Sequence, residues 1–144
     1  AAARLVAQRL EALGHEVLTR HLLAADVDRA ESGLTEREVF ERDTRWLDAC
    51  DGLVAEASGS TFGVGYEVGY LIGRAPVTGQ RVWVLYDAAS RDVVSRLVTG
   101  NSSEHCVTLA YRTLGDVSAF VESEFGRGAP PPSPGADESV LRGD

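Results

Sequence analysis

Two stretches of this sequence carry groups suited to holding a phosphorylated ligand and protonating a leaving group. The first reads Ser58-Gly59-Ser60-Thr61-Phe62-Gly63-Val64-Gly65-Tyr66-Glu67-Val68-Gly69, with hydroxyls and glycines leading into a helix that carries a carboxylate in its first turns. Free amides at a helix N-terminus bind phosphate, and Gly63 and Gly65 would let a ligand come close to the backbone. The plainer alternative is a glycine-rich turn whose Glu67 complements the helix dipole. The second stretch centres on Asp43. Val39, Trp46, Leu47 and Cys50 form an inward stripe at helical spacing, and Asp43 falls on it, four residues after Val39 and three before Trp46. A carboxyl group there is expected to be desolvated, which raises an acid's pKa and lets it donate a proton near neutral pH. Alternatively, Asp43 sits at the rim of the stripe and pairs with an arginine elsewhere in the fold. Glu56, near the carboxyl end of a strand, is a weaker candidate for a sugar hydroxyl, or simply faces the sheet rim. His21 could line the same crevice, or be a solvated strand end.

An alternation of helices and strands must position these groups. Leu5, Val6, Arg9, Leu10 and Leu13 have helical spacing and Gly14 follows as a stop, so residues 2–13 read as a helix. Residues 16–22 read as a short strand, and the stretch to Gly33 as an acidic loop. Thr35 and Glu38 form a capping-box pattern for a helix running to about Cys50. The apolar run 52–57 has the character of a buried parallel strand, 63–74 that of a helix, and 81–86 is the clearest strand. A helix near 90–98, a strand at 105–110 and a helix at 114–125 complete the order. Such alternation implies a parallel sheet covered on both faces, and in such sheets ligands bind beyond the carboxyl ends of the strands. After Gly126 the chain is rich in Pro and Gly and reads as a tail over 126–144.

With 144 residues, 44% of them hydrophobic, the chain fits one domain that buries a core. A net charge of −8 argues against general nucleic-acid binding, which needs a basic surface. It leaves open a small phosphorylated ligand held by a few amides and hydroxyls. Cys50 and Cys106 have no metal-ligand spacing and read as reduced, buried thiols, so no metal or disulfide framework is expected. No apolar run is long enough to span a bilayer and no export signal opens the chain, so the default expectation is the cytoplasm with no membrane partner. Every basic residue is arginine and Met is absent even at position 1, which suggests a trimmed chain.

Taken together, Glu41-Arg42-Asp43-Thr44-Arg45-Trp46-Leu47, Asp51-Gly52-Leu53-Val54-Ala55-Glu56 and Gly63-Val64-Gly65-Tyr66-Glu67-Val68-Gly69 resemble, in order and spacing, the 2′-deoxynucleoside 5′-phosphate N-hydrolase family of the nucleoside 2-deoxyribosyltransferase superfamily. The likeness runs from about Leu5 to Phe125. It implies an α/β, Rossmann-like (flavodoxin-like) three-layer sandwich over residues 1–125 that cuts the N-glycosidic bond of a nucleoside 5′-monophosphate without a cofactor. By this resemblance Glu67 is the nucleophile and Asp43 the acid that protonates the departing base, the two-carboxylate logic of a retaining glycosidase. The resemblance also assigns Thr61 and Gly63 to the substrate's 5′-phosphate and His21 to the nucleotide pocket; Ser60 and Gly65 beside them are expected to be substrate-binding. Ser95 matches a serine that reaches the phosphate from a partner subunit, which implies a homodimer. The family opens with a strand and phosphate-binding loop ahead of the first helix found here. The expectation is therefore roughly another strand's length of chain before Ala1, without which a central sheet position would be empty. A deoxyribosyltransferase that passes the sugar to a second base, and a nucleotide sensor without catalysis, are the competing readings.

Overall fold

The computed structural model describes residues 1–23, 32–59 and 61–126, with His21 described in its backbone alone. Ser60, most of the acidic loop and all of the tail after Gly126 lie outside the described residues. The chain opens with α1 (Ala2–Ala12), which stops where Gly14 adopts φ 92°, in the left-handed region that glycine tolerates. A 3-10 turn follows at Arg20–Leu23, and then α2 (Glu36–Ala49). Its capping box forms as the sequence indicates: the Thr35 side chain accepts from the Glu38 amide at 3.2 Å, and the Glu38 carboxylate accepts from the Thr35 amide at 2.7 Å. Strand β1 (Gly52–Glu56) leads into α3 (Phe62–Thr78), and β2 (Arg81–Asp87) into a 3-10 turn (Ala88–Ser90) and the single-turn α4 (Arg96–Thr99). Strand β3 (Cys106–Tyr111) and α5 (Leu114–Phe125) close the described chain.

The three strands form one parallel sheet in the order β1-β2-β3. Central β2 alternates its side chains between two cores, as the two-residue period of a strand requires. Val82, Val84 and Tyr86 pack with Leu47, Ala55, Val68 and Leu71 beneath α2 and α3. Leu85 faces the other way, into Val6, Tyr111, Val117 and Val121 beneath α1 and α5. The result is the three-layer α/β sandwich expected. Gly52 begins β1 because a Cβ there would stand 2.6 Å from the Trp83 ring and 2.9 Å from the Arg81 carbonyl.

Three expected elements differ. Residues 16–22 are not a strand: turns and the 3-10 segment occupy them. Among the described residues no strand lies beside them, and an extended segment without a ladder partner leaves its backbone groups unpaired. Helix α3 runs past Arg74 and through Pro76, because its stop is Gly79, at φ 73°, whose amide donates to the Ala75 carbonyl. The helix expected near 90–98 is instead two short pieces, since Ser95 takes extended angles as the N-cap of α4 and two β-branched valines precede it. Among the described residues no helix is long and apolar enough to cross a membrane, and no group of His, Cys, Asp and Glu is arranged to hold a metal.

Candidate active site

Two helices that follow different loops bring the carboxylates together. On α2, Phe40, Asp43, Thr44 and Leu47 recur at the spacing of one helical face. On α3, Gly63 and Glu67 lie one turn apart, with Tyr66 beside them. These seven residues line one open cavity of about 130 Å3. That is below the roughly 300 Å3 at which sites enclosing a small molecule begin. Phe40 and Tyr66 stand at its mouth, each about half exposed.

The two acids sit in different surroundings. Glu67 is half-buried, and its pKa is raised from the ordinary 4.5, first by desolvation and second by the charge of Asp43. Asp43 is not the desolvated group that the stripe suggested: 31% of its side chain is exposed, and it forms an ion pair with Arg42 at 2.8 Å. The reason lies in what α2 rests on. Leu47 is its one buried residue among those described, and the face N-terminal to Leu47 runs out over the cavity instead of onto the sheet. Its arginine partner is the preceding residue and not one elsewhere in the fold, and the Arg42 guanidinium also lies 4.7 Å from the Trp46 ring centroid.

The remaining candidates are spread more widely. Thr61 is the N-cap of α3, its hydroxyl accepting from the Val64 amide at 3.3 Å, and it does not line the cavity. A Cβ added at Gly63 or Gly65 would meet nothing within 4 Å, so the chain's own packing does not demand glycine at either position. Ser95 is exposed at the start of α4, between the exposed Val93 and Leu97, and is not on the cavity wall. His21 falls in the 3-10 turn and its side chain, like Ser60, lies outside the described residues. Glu56 does not face open solvent at a rim: its Oε1 accepts from the Tyr111 hydroxyl at 3.0 Å, from the Ser58 amide at 3.4 Å and from the Ser58 hydroxyl. Phe40, Thr44 and Tyr66, which no chemical signal marks as site residues, join the acids on the cavity wall, each at helical spacing from, or adjacent to, Asp43 or Glu67. Both thiols are free and half-buried, and burial pushes the Cys50 thiol up to about 11.

The chain is similar to known proteins over most of its length. Residues 1–107 match the family model described as nucleoside 2-deoxyribosyltransferase. A protein of Thermofilum pendens named as a 2′-deoxynucleoside 5′-phosphate N-hydrolase is 39% identical over 116 residues, covering 81% of this chain and 78% of its own length. The 5-hydroxymethyl-dUMP N-hydrolase of Homo sapiens is 30% identical over 122 residues, covering 83% of this chain and 67% of that protein. Its namesake in Danio rerio is 31% identical over 121 residues, covering 83% and 81% respectively.

Proposed function

We propose that this chain, which belongs to the nucleoside 2-deoxyribosyltransferase family, hydrolyses the N-glycosidic bond of (2′-deoxy)nucleoside 5′-monophosphates to a free base and a sugar 5-phosphate. The observation that carries the reading is the shared cavity, in which Glu67 and Asp43 lie close enough for one charge to shift the other's titration. In the reactive form Glu67 is ionised and the proton shared by the two acids sits on Asp43. The Glu67 carboxylate attacks the anomeric carbon while the C–N bond breaks, its electron pair leaves with the base, and Asp43 delivers that proton to the base. Water then attacks the same carbon, Glu67 departs as carboxylate, and the water's proton returns to Asp43. Burial of Glu67 strips water from the attacking oxygen, at the cost of a raised pKa.

In this reading the N-terminal end of α3, with Ser60, Thr61, Gly63 and Gly65, receives the 5′-phosphate on free amides. His21 borders the nucleotide. Ser95 reaches the phosphate of a partner subunit in a homodimer, which the exposed Val93 and Leu97 around it favour. The enzyme needs no cofactor and works in the cytoplasm, where its thiols stay reduced. The test is to incubate the protein with deoxynucleoside monophosphates and follow free base by chromatography. Base release in water supports hydrolysis. Release only when a second base is present assigns a deoxyribosyltransferase, the other activity of the family whose model matches. Binding without release assigns a sensor.

A further inference from the structure

We infer that the Tyr111 hydroxyl and the Glu56 carboxylate are positioning groups for the phosphate-holding loop, an assignment that rests on the function proposed above. The two residues are 55 positions apart in the chain and end two different strands, β3 and β1. Their hydrogen bond continues through the Ser58 hydroxyl, which bonds to Glu56 and accepts from the Asp87 amide at 2.8 Å. The carboxyl ends of all three strands are therefore tied at Ser58, the residue from which the loop toward α3 departs. Of the described residues beyond it, Gly59 and Thr61 are exposed, and the Thr61 hydroxyl caps the Val64 amide at 3.3 Å. Helix α3 itself is anchored independently, by Val68, Leu71 and Ala75 in the core. Loss of the strand-end tie thus removes the loop's hold at Ser58 but leaves the helix that bears Glu67 anchored in the core. Amides that must converge on a phosphate bind it well only when already held in place, so the cost of a free loop falls on the phosphate.

Tyr111→Phe is the diagnostic change, because the ring belongs to the core beneath α1 and α5 while the hydroxyl serves this tie. The expected result is a KM for 2′-deoxyuridine 5′-monophosphate raised about tenfold, the scale of one lost hydrogen bond. The kcat should stay near wild type, as should hydrolysis of 2′-deoxyuridine, which lacks the phosphate. Glu56→Gln should move in the same direction by less, since its amide oxygen still accepts. Calorimetric binding of deoxyribose 5-phosphate gives the same comparison without turnover and should weaken in parallel. An equal loss on nucleotide and nucleoside, or an unchanged KM and affinity, would overturn the assignment while leaving the proposed function intact. A wild-type chain that binds no monophosphate would overturn both.

Discussion

Glu67 is pushed the same way by two causes, its own burial and the nearby charge of Asp43, and both favour the protonated form. Attack requires the ionised form, so kcat/KM should climb with pH along an acid limb centred above the ordinary glutamate value of 4.5. Asp43→Asn removes the second cause. It should move that limb to lower pH and, by removing the proton donor, lower kcat by about 100- to 10,000-fold, both read from one pH–rate profile. The same raised pKa bears on folding with a definite sign. The folded state binds this proton more tightly than the unfolded state does, so stability is lost as pH rises from 4.5 through the raised value. Glu67→Gln should therefore melt at a higher temperature than wild type at neutral pH, and the gain should vanish below pH 4.5. The variant should release no base yet bind nucleotide close to normally. Full activity in Glu67→Gln would remove it from the mechanism.

Helix α2 carries Asp43 but buries little of itself, so its placement depends on a few ties. Gln80, 1% exposed, donates through Nε2 to the Leu47 carbonyl at 2.7 Å and the Cys50 carbonyl at 2.8 Å, where the helix ends with no bonds of its own to give. On the outer side, Tyr70 of α3 donates to Asp48 of α2 at 2.6 Å, and Arg74 joins them. Replacing Gln80 by Leu would leave the Leu47 carbonyl with only the weak Cys50 thiol donor and take the Gln80 donor from the Cys50 carbonyl, and should cost about 2 kcal/mol, measured by denaturant unfolding. Activity should fall with it where the protein remains folded, because α2, which bears Asp43, loses an anchor at its C-terminal end. Nothing local singled out Gln80. The sequence shows a polar residue after a glycine turn, and only the return of α2 over the start of β2 turns it into a buried hub.

At the scale of the whole molecule, the exposed Ser95 and the cavity that holds both acids are separate features of one subunit. If a homodimer joins them, Ser95→Ala and Glu67→Gln subunits should complement each other. Each variant alone should be impaired, and an equal mixture should regain about a quarter of wild-type activity, as random pairing gives one intact site in half the dimers. Sedimentation of wild type as a monomer, or a mixture no better than its parts, would remove Ser95 from the partner's site. The sequence by itself determined the capping box of Thr35 and Glu38 and the alternation of helices with the three strands 52–57, 81–86 and 105–110, because each is written in spacings of a few residues. Tertiary structure decided which acid is desolvated, whether residues 16–22 find a strand to pair with, and that Glu56 is tied to Tyr111. Periodicity says which way a side chain points, whereas burial and hydrogen bonding depend on what segments distant in the chain place opposite it.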